Sequence, residues 1–167
     1  MNELPITITL ADTNHWLGIW EIFSRVVASG QTYVYDPKTT CEQAKAIWLN
    51  PTAQARTYVL MRGEEILGTY LLKPNQPGLG NHVANAGYMI HPDAHRQGLG
   101  RMLAEHSFEM AKEMGFEAMQ FNFVIATNHA AIHLWQSLGF EIVGRLPKVY
   151  RHATQGQVDA LVMHRFL

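Results

Sequence analysis

Apolar and polar residues alternate through Ile6 to Leu10 (ITITL), a β-branched run that reads as a first strand. After Asp12 or Thr13, either of which can cap a helix, the period changes. Trp16, Trp20, Phe23 and Val27 recur at helical spacing up to Gly30. Thr39 and Glu42 have the spacing of a capping box and predict a second helix ending near Asn50-Pro51. Arg56 to Arg62 and Glu65 to Leu72 read as strands of a hairpin about Gly63, and Lys73 to Asn81 is a loop by composition. Val83 to Ile90 is the next strand; the glycine inside it, Gly87, marks a bulge or a close approach of another group. Leu99, Leu103, His106 and Met110 predict a third helix, and Ala118 to Ile125 a further strand. Asn128 can cap a fourth helix, with Ala131, Leu134, Trp135 and Leu138 on one face and Gly139 at its end. Glu141 to Val149 and Val158 to Phe166 are the last strands, joined through Thr154-Gln155-Gly156. The order β-α-α-β-β-β-α-β-α-β-β describes a mixed sheet covered by helices, an α/β fold, or α+β by some schemes.

Composition narrows the class. The 167 residues suit one domain, 1–167, with no linker to divide it. A 47% hydrophobic and 16% charged balance excludes a mainly disordered chain. Thirteen Lys and Arg against fourteen Asp and Glu leave a net charge of -1, so the basic stripe of a nucleic-acid binder is absent. No apolar run approaches the roughly 20 residues of a membrane helix, and Met1 to Leu10 lacks the pattern of a secretory signal. The single cysteine, Cys41, rules out an intrachain disulfide framework, and the expected compartment is the reducing cytoplasm.

The stretch richest in chemistry runs from Val83 to Met102, a strand followed by a glycine-bearing turn and a helix. Gly98 and Gly100 stand where that helix begins, flanked by Arg96 and Arg101. Glycines let the backbone approach a ligand, and the first amides of a helix lack internal partners. Together they suit a phosphate or pyrophosphate, although a glycine-eased strand-to-helix turn is an equally simple reading. There is no Gly-x-x-x-x-Gly-Lys-Ser/Thr and no Gly-x-Gly-x-x-Gly, which argues against a P-loop nucleotidase and a dinucleotide-binding domain.

His95-Arg96-Gln97-Gly98-Leu99-Gly100 resembles the Arg/Gln-x-x-Gly-x-Gly/Ala motif of the GNAT superfamily, the Gcn5-related N-acetyltransferases. Asn128, Ala131, Leu134, Leu138, Gly139 and Phe140 resemble that family's second signature, Asn-x-x-Ala-x-x-Leu-Tyr-x-x-x-Gly-Phe. Asn85-Ala86-Gly87-Tyr88, Phe121-Asn122 and the run from Leu134 to Phe140 look like the branch that includes fungal N-acetyltransferases of proline analogues. The resemblance implies a mixed, mostly antiparallel sheet of about seven strands flanked by about four helices. It implies acetyl-CoA as co-substrate. Main-chain groups of Tyr88, Met89 and Ile90 would pair with its pantetheine arm, after a bulge near Gly87. Amides from Arg96 through Gln97, Gly98, Leu99, Gly100 and Arg101 to Met102 would hold the pyrophosphate, and Asn128 would contact the cofactor arm. An amide near Met89 would polarise the acetyl carbonyl. Two positions depart from the pattern. His95 stands where Arg or Gln is usual, and Trp135, also assigned to the cofactor site, replaces the Tyr that protonates the leaving thiolate in many members. An indole N–H is no acid at neutral pH, but a thiol of pKa near ~8.5 leaves fairly well as the anion.

The attacking amine must lose a proton. Val83 to Ile90 and Ala118 to Ile125 carry no carboxylate but do carry Asn85 and Asn122, the candidate catalytic residues. A carboxamide cannot take a proton but can orient an amine or water, which predicts catalysis by positioning and favours amines partly neutral already. The competing role is satisfying backbone groups at a bulge. Asn122 alternates with Phe121 and Phe123 and is expected on the face opposite both. Tyr33, in Tyr33-Val34-Tyr35-Asp36 after the first helix, joins Asn85 and Asn122 as a candidate substrate-binding residue. With no cysteine or paired carboxylate near His91 and His95, no metal site is expected.

The expected function is an acetyl-CoA-dependent N-acetyltransferase acting on the amine of a small molecule, such as an amino acid or analogue. Alternatives are a non-catalytic acyl-CoA-binding module and a protein N-acetyltransferase. Neither nucleic acid nor membrane is an expected partner; a homodimer is an option by analogy with relatives.

Overall fold

The computed structural model describes residues 4–167; residues 1–3, part of the stretch read for a targeting signal, lie outside the described residues. Strands β1 (Ile6–Leu10), β2 (Arg56–Arg62), β3 (Glu65–Pro74), β4 (Val83–Ile90), β5 (Ala118–Ile125), β6 (Glu141–His152) and β7 (Gly156–Phe166) form one sheet in the order β1-β2-β3-β4-β5-β7-β6. Neighbours are antiparallel except β4 and β5, which run parallel. Helices α1 (Trp16–Ala28) and α2 (Cys41–Trp48) cover one face, with Ile19, Ile22, Phe23 and Trp48 buried against Val59, Leu71 and Met89. Helices α3 (Leu99–Glu113) and α4 (His129–Ser137) cover the other, where Leu103, Phe108 and Trp135 pack on Leu60, Tyr70, Phe121 and Met163.

Most elements lie where the pattern puts them, and the exceptions have local causes. The capping box of α2 is Thr40 with Gln43, not Thr39 with Glu42. The Thr39 hydroxyl donates to the Asp36 carbonyl, so the next threonine accepts from the Gln43 amide at 3.2 Å while Gln43 Oε1 accepts from the Thr40 amide at 2.9 Å. β3 extends to Pro74 because β4 supplies register partners there, Lys73 to Asn85 and Pro74 to Ala84. The expected bulge at Gly87 is absent: Leu72–Ala86, Leu71–Gly87 and Tyr70–Tyr88 pair in unbroken register. Gly87 instead allows close approach, since a Cβ there would sit 3.2 Å from the Tyr33 hydroxyl and 3.3 Å from the Trp48 ring.

The irregularity that matters lies in β5. Phe121 pairs with Met163 and Val124 with Leu161, so three steps on β5 face two on β7. That bulge turns Phe123 toward Tyr150, with ring centroids 6.4 Å apart, while Phe121 stays in the α3–α4 core. Strict alternation is therefore broken, and the expectation that both phenylalanines oppose Asn122 is corrected. β4 and β5 pair only at Val83–Ala118 and Ala84–Met119, then splay apart. The gap between them is the frame of the site. No helix among the described residues is long and apolar enough to cross a membrane.

Candidate active site

The inner edge of β4 borders the gap. The His91 amide donates to the Leu67 carbonyl and the Asn75 amide to the Val83 carbonyl, both at 2.8 Å. These bonds fix the parity of the antiparallel ladder: odd residues from Val83 to His91 turn their main chain toward β3, and Ala86, Tyr88 and Ile90 turn theirs toward the gap. The Met89 amide thus faces β3 and its side chain lies in the α1–α2 core, so the donors aimed into the gap belong to Tyr88 and Ile90. The Tyr88 carbonyl accepts a hydrogen bond from the Tyr33 hydroxyl at 2.7 Å.

At the end of β4 the chain turns sharply into α3. Arg96 and Gly98 adopt positive φ, 64° and 74°, on either side of Gln97. The first bond of the helix runs from the Met102 amide to the Gly98 carbonyl at 3.2 Å, so the amides of Gly98, Leu99, Gly100 and Arg101 have no intrahelical acceptor. Gly98, the N-cap, provides no side-chain cap. A Cβ at Gly98 would meet nothing within 4 Å, and one at Gly100 only Leu134 at 3.5 Å. The turn is an uncapped, positively polarised cradle with open space before it. Buried Leu99 anchors it to the core. Gln97 Oε1 accepts from Arg62 on β2 at 2.8 Å, and Arg101 donates to Ser137 on α4 at 2.7 Å. From α1, Arg25 forms a two-bond pair with Asp93 at 2.9 and 3.1 Å, and that hydrogen-bonded guanidinium holds the Asp93 carboxyl below the usual range. Arg62 and Arg25 are contributors that motif reading misses, because each is remote in sequence from the turn it braces.

Asn128 caps α4, its side-chain oxygen accepting from the Ala131 amide at 3.3 Å. Trp135 is buried, with ring centroids 4.7 Å from Phe121 and 5.0 Å from Tyr88. The Tyr88 hydroxyl lies 2.7 Å from Ser107 Oγ, which itself donates to the Ala104 carbonyl. Burial pushes the Tyr88 hydroxyl far above the usual tyrosine range, so it is no proton carrier at neutral pH.

On the opposite face, Asn85 Nδ2 donates to the Gln120 carbonyl at 3.0 Å, tying β4 to β5 near the vertex of the gap. Asn122 is exposed on the bulge; its Nδ2 donates to Asn75 at 2.6 Å and its oxygen accepts from Gln120 Nε2 at 2.9 Å. Sequence alone does not mark Asn75 and Gln120, since polar residues at a strand end carry no motif. Tyr33 stacks on Tyr35 at 5.8 Å and meets Trp48 edge-on, and its carbonyl accepts from the Tyr150 hydroxyl at 3.1 Å. Desolvation pushes the Tyr33 hydroxyl far up as well. Asn85, Asn122 and Tyr33 thus lie on one side of the gap, while the Arg96–Met102 cradle lies past the far end of β4. Such an arrangement can hold an anion at one end and orient a neutral nucleophile at the other.

A family model described as the acetyltransferase (GNAT) family matches residues 16–140. A solved GCN5-related N-acetyltransferase from Kribbella flavida is 41% identical and superposes with a TM-score of 0.93, covering 97% of this chain and 98% of that one. N-acetyltransferase aca1 of Schizosaccharomyces pombe is 30% identical over 151 residues, 81% of this chain and 72% of its own length. The Escherichia coli ribosomal protein bS18-alanine N-acetyltransferase is 39% identical over 74 residues, 44% of this chain and about half, 49%, of that protein.

Proposed function

The chain belongs to the acetyltransferase (GNAT) family, a family of enzymes that use acetyl-CoA, and from that premise we propose that it acetylates the amine of a small molecule such as an amino acid or an analogue. The observation that carries this reading is the pairing of an uncapped helix start at Gly98 with an open strand edge at Tyr88 and Ile90. The amides of residues 96–102 would hold the pyrophosphate, with Arg96 adding charge. A Cβ at Gly98 would meet nothing within 4 Å and one at Gly100 only Leu134, so the main chain of the turn is open to an approaching group. The amides of Tyr88 and Ile90 would meet the pantetheine arm and the acetyl carbonyl, as donors already fixed in place. The Asn128 cap and buried Trp135 would wall the arm from the second motif.

Bound acetyl-CoA supplies the acyl group as a thioester. The chain's part is alignment: Asn85 and Asn122 orient the neutral amine, the β4 amides draw charge onto the carbonyl oxygen, the thiolate leaves without a tyrosine acid, and the nitrogen's surplus proton passes to solvent water. With no carboxylate on β4 or β5, the reaction favours an α-amino group over a lysine-like amine with pKa ~10.4. The likeness to the bS18-alanine enzyme favours a second reading, the α-amine of a protein terminus.

Thiol release from acetyl-CoA, measured with amino acids, simple alkylamines and an alanine-initiated peptide, tests the proposal. Release with the small amines and little with the peptide is expected. Release with the peptide alone would establish the second reading, and release with none of them would overturn both.

A further inference from the structure

The acceptor side holds a polar array of which Lys73, Asn75 and Gln120 have no task in the acetyl-transfer reading. Lys73 and Asn85 are register partners on β3 and β4, which places their Cβ atoms about 5 Å apart on one face. Lys73 is exposed and, among the described residues, forms no ion pair. Beside it the side chains of Gln120, Asn122 and Asn75 are joined head to tail: Gln120 donates to Asn122, and Asn122 to Asn75. A chain of carboxamides has a direction. With its oxygen occupied by Asn122, Asn75 ends the chain with its NH₂ group, and Asn122 keeps a second N–H. An unpaired ammonium next to outward amide donors is a receptor for an anion with two oxygens.

We propose that Lys73 and Asn75, the latter held by Asn122, form a subsite for a carboxylate on the acceptor, so that the substrate is an amine bearing a free carboxylate rather than a plain amine or a peptide terminus. This rests on the reading above and sharpens it. Asn85 and Tyr88 are three residues apart, about 10 Å along the strand. A lysine side chain and an amino-acid backbone together bridge that span, with the carboxylate at Lys73 and the amine at the gap. α2 stops short of this region: Trp48 bonds to Thr69, four residues before Lys73 on β3, and leaves Lys73 uncovered.

The test compares KM and kcat for common L-α-amino acids, their primary amides and the matching alkylamines, with wild-type enzyme and the Lys73→Met, Lys73→Arg and Asn75→Ala variants. Amides carry the more easily deprotonated amine, so a preference for acids runs against amine basicity and reports carboxylate recognition. Wild-type KM should be about tenfold lower or better for acids than for amides, the range of a charge-assisted hydrogen bond. Lys73→Met should raise KM about tenfold for acids alone, with kcat and the KM for acetyl-CoA within about twofold. Lys73→Arg should restore most of the loss, and Asn75→Ala should raise the acid KM severalfold. Equal turnover of acids and amides, or equal effects of Lys73→Met on both, would overturn the subsite while leaving small-amine acetylation standing. Turnover of the alanine-initiated peptide alone would overturn both.

Discussion

The Tyr33 hydroxyl donates to the main-chain oxygen of Tyr88 across 2.7 Å, fastening the segment after α1 to the strand edge that borders the gap. This one bond engages the carbonyl of Tyr88, which resemblance alone assigns to the cofactor, and leaves the Tyr88 amide for it. It also makes Tyr33 a wall of the site rather than a free hydroxyl within it.

Tyr33→Phe removes the donor and strands the Tyr88 carbonyl. A loss of about 1 kcal/mol in stability is expected, seen as a lower urea midpoint with unchanged slope. An unchanged midpoint would show that the bond contributes nothing.

Gly87→Val tests the packing around that bond. Its Cβ would press on the Tyr33 hydroxyl and the Trp48 ring at 3.2 and 3.3 Å, and the branched methyls would add to the overlap. Overpacking of this kind costs about 1–3 kcal/mol. Thermal unfolding should show a lowered Tm, and a Tm equal to that of the wild type would count against the close approach described.

Trp135→Phe tests whether position 135 supplies a proton. Trp135 sits among Phe121, Tyr88 and Phe140 and acts by packing. Steady-state assays should find kcat within about threefold of wild type, with stability lowered by about 1–3 kcal/mol for the lost ring volume. A hundredfold fall in kcat at normal stability would assign this position a chemical role.

Alkaline titration follows from the buried tyrosines. Desolvation raises the hydroxyls of Tyr33, Tyr70 and Tyr88 far above their unfolded value near ~10. The unfolded chain therefore releases these protons first. Stability from this source is complete below about pH 10 and is lost as pH climbs beyond it. Tyrosinate absorbance of the native protein should lag behind the six tyrosines of the chain and then rise together with unfolding. Early titration of all six while the fold persists would contradict their burial.

Much of the frame is legible in the chain because β4 and β5 have clear borders and the turn between His95 and Met102 carries its chemistry in main-chain groups that glycine spacing reveals. Other features arise only from register. The bulge that turns Phe123 away from the core exists as a mismatch between β5 and β7, so no count along β5 alone exposes it. Gly87 signals either a bulge or a contact, and only the arrival of Tyr33 and Trp48 from elsewhere in the chain decides between them. The choice of Thr40 over Thr39 as cap turns on a single hydrogen bond to Asp36. Arg62 reaches Gln97 from 35 residues away, and Asn75 reaches Asn122 from 47. Such partners become visible once the sheet order is known.

Calorimetric titration of acetyl-CoA into wild type and into Gly100→Val tests the cradle most directly. In the free protein a Cβ at this position meets only Leu134, at 3.5 Å, so the fold should survive with wild-type circular dichroism. A saturable heat is expected for the wild type and affinity at least about tenfold weaker for the variant, because the added methyls would fill the space proposed for the nucleotide's phosphates. No heat with the wild type, or equal affinity in the two proteins, would contradict that placement.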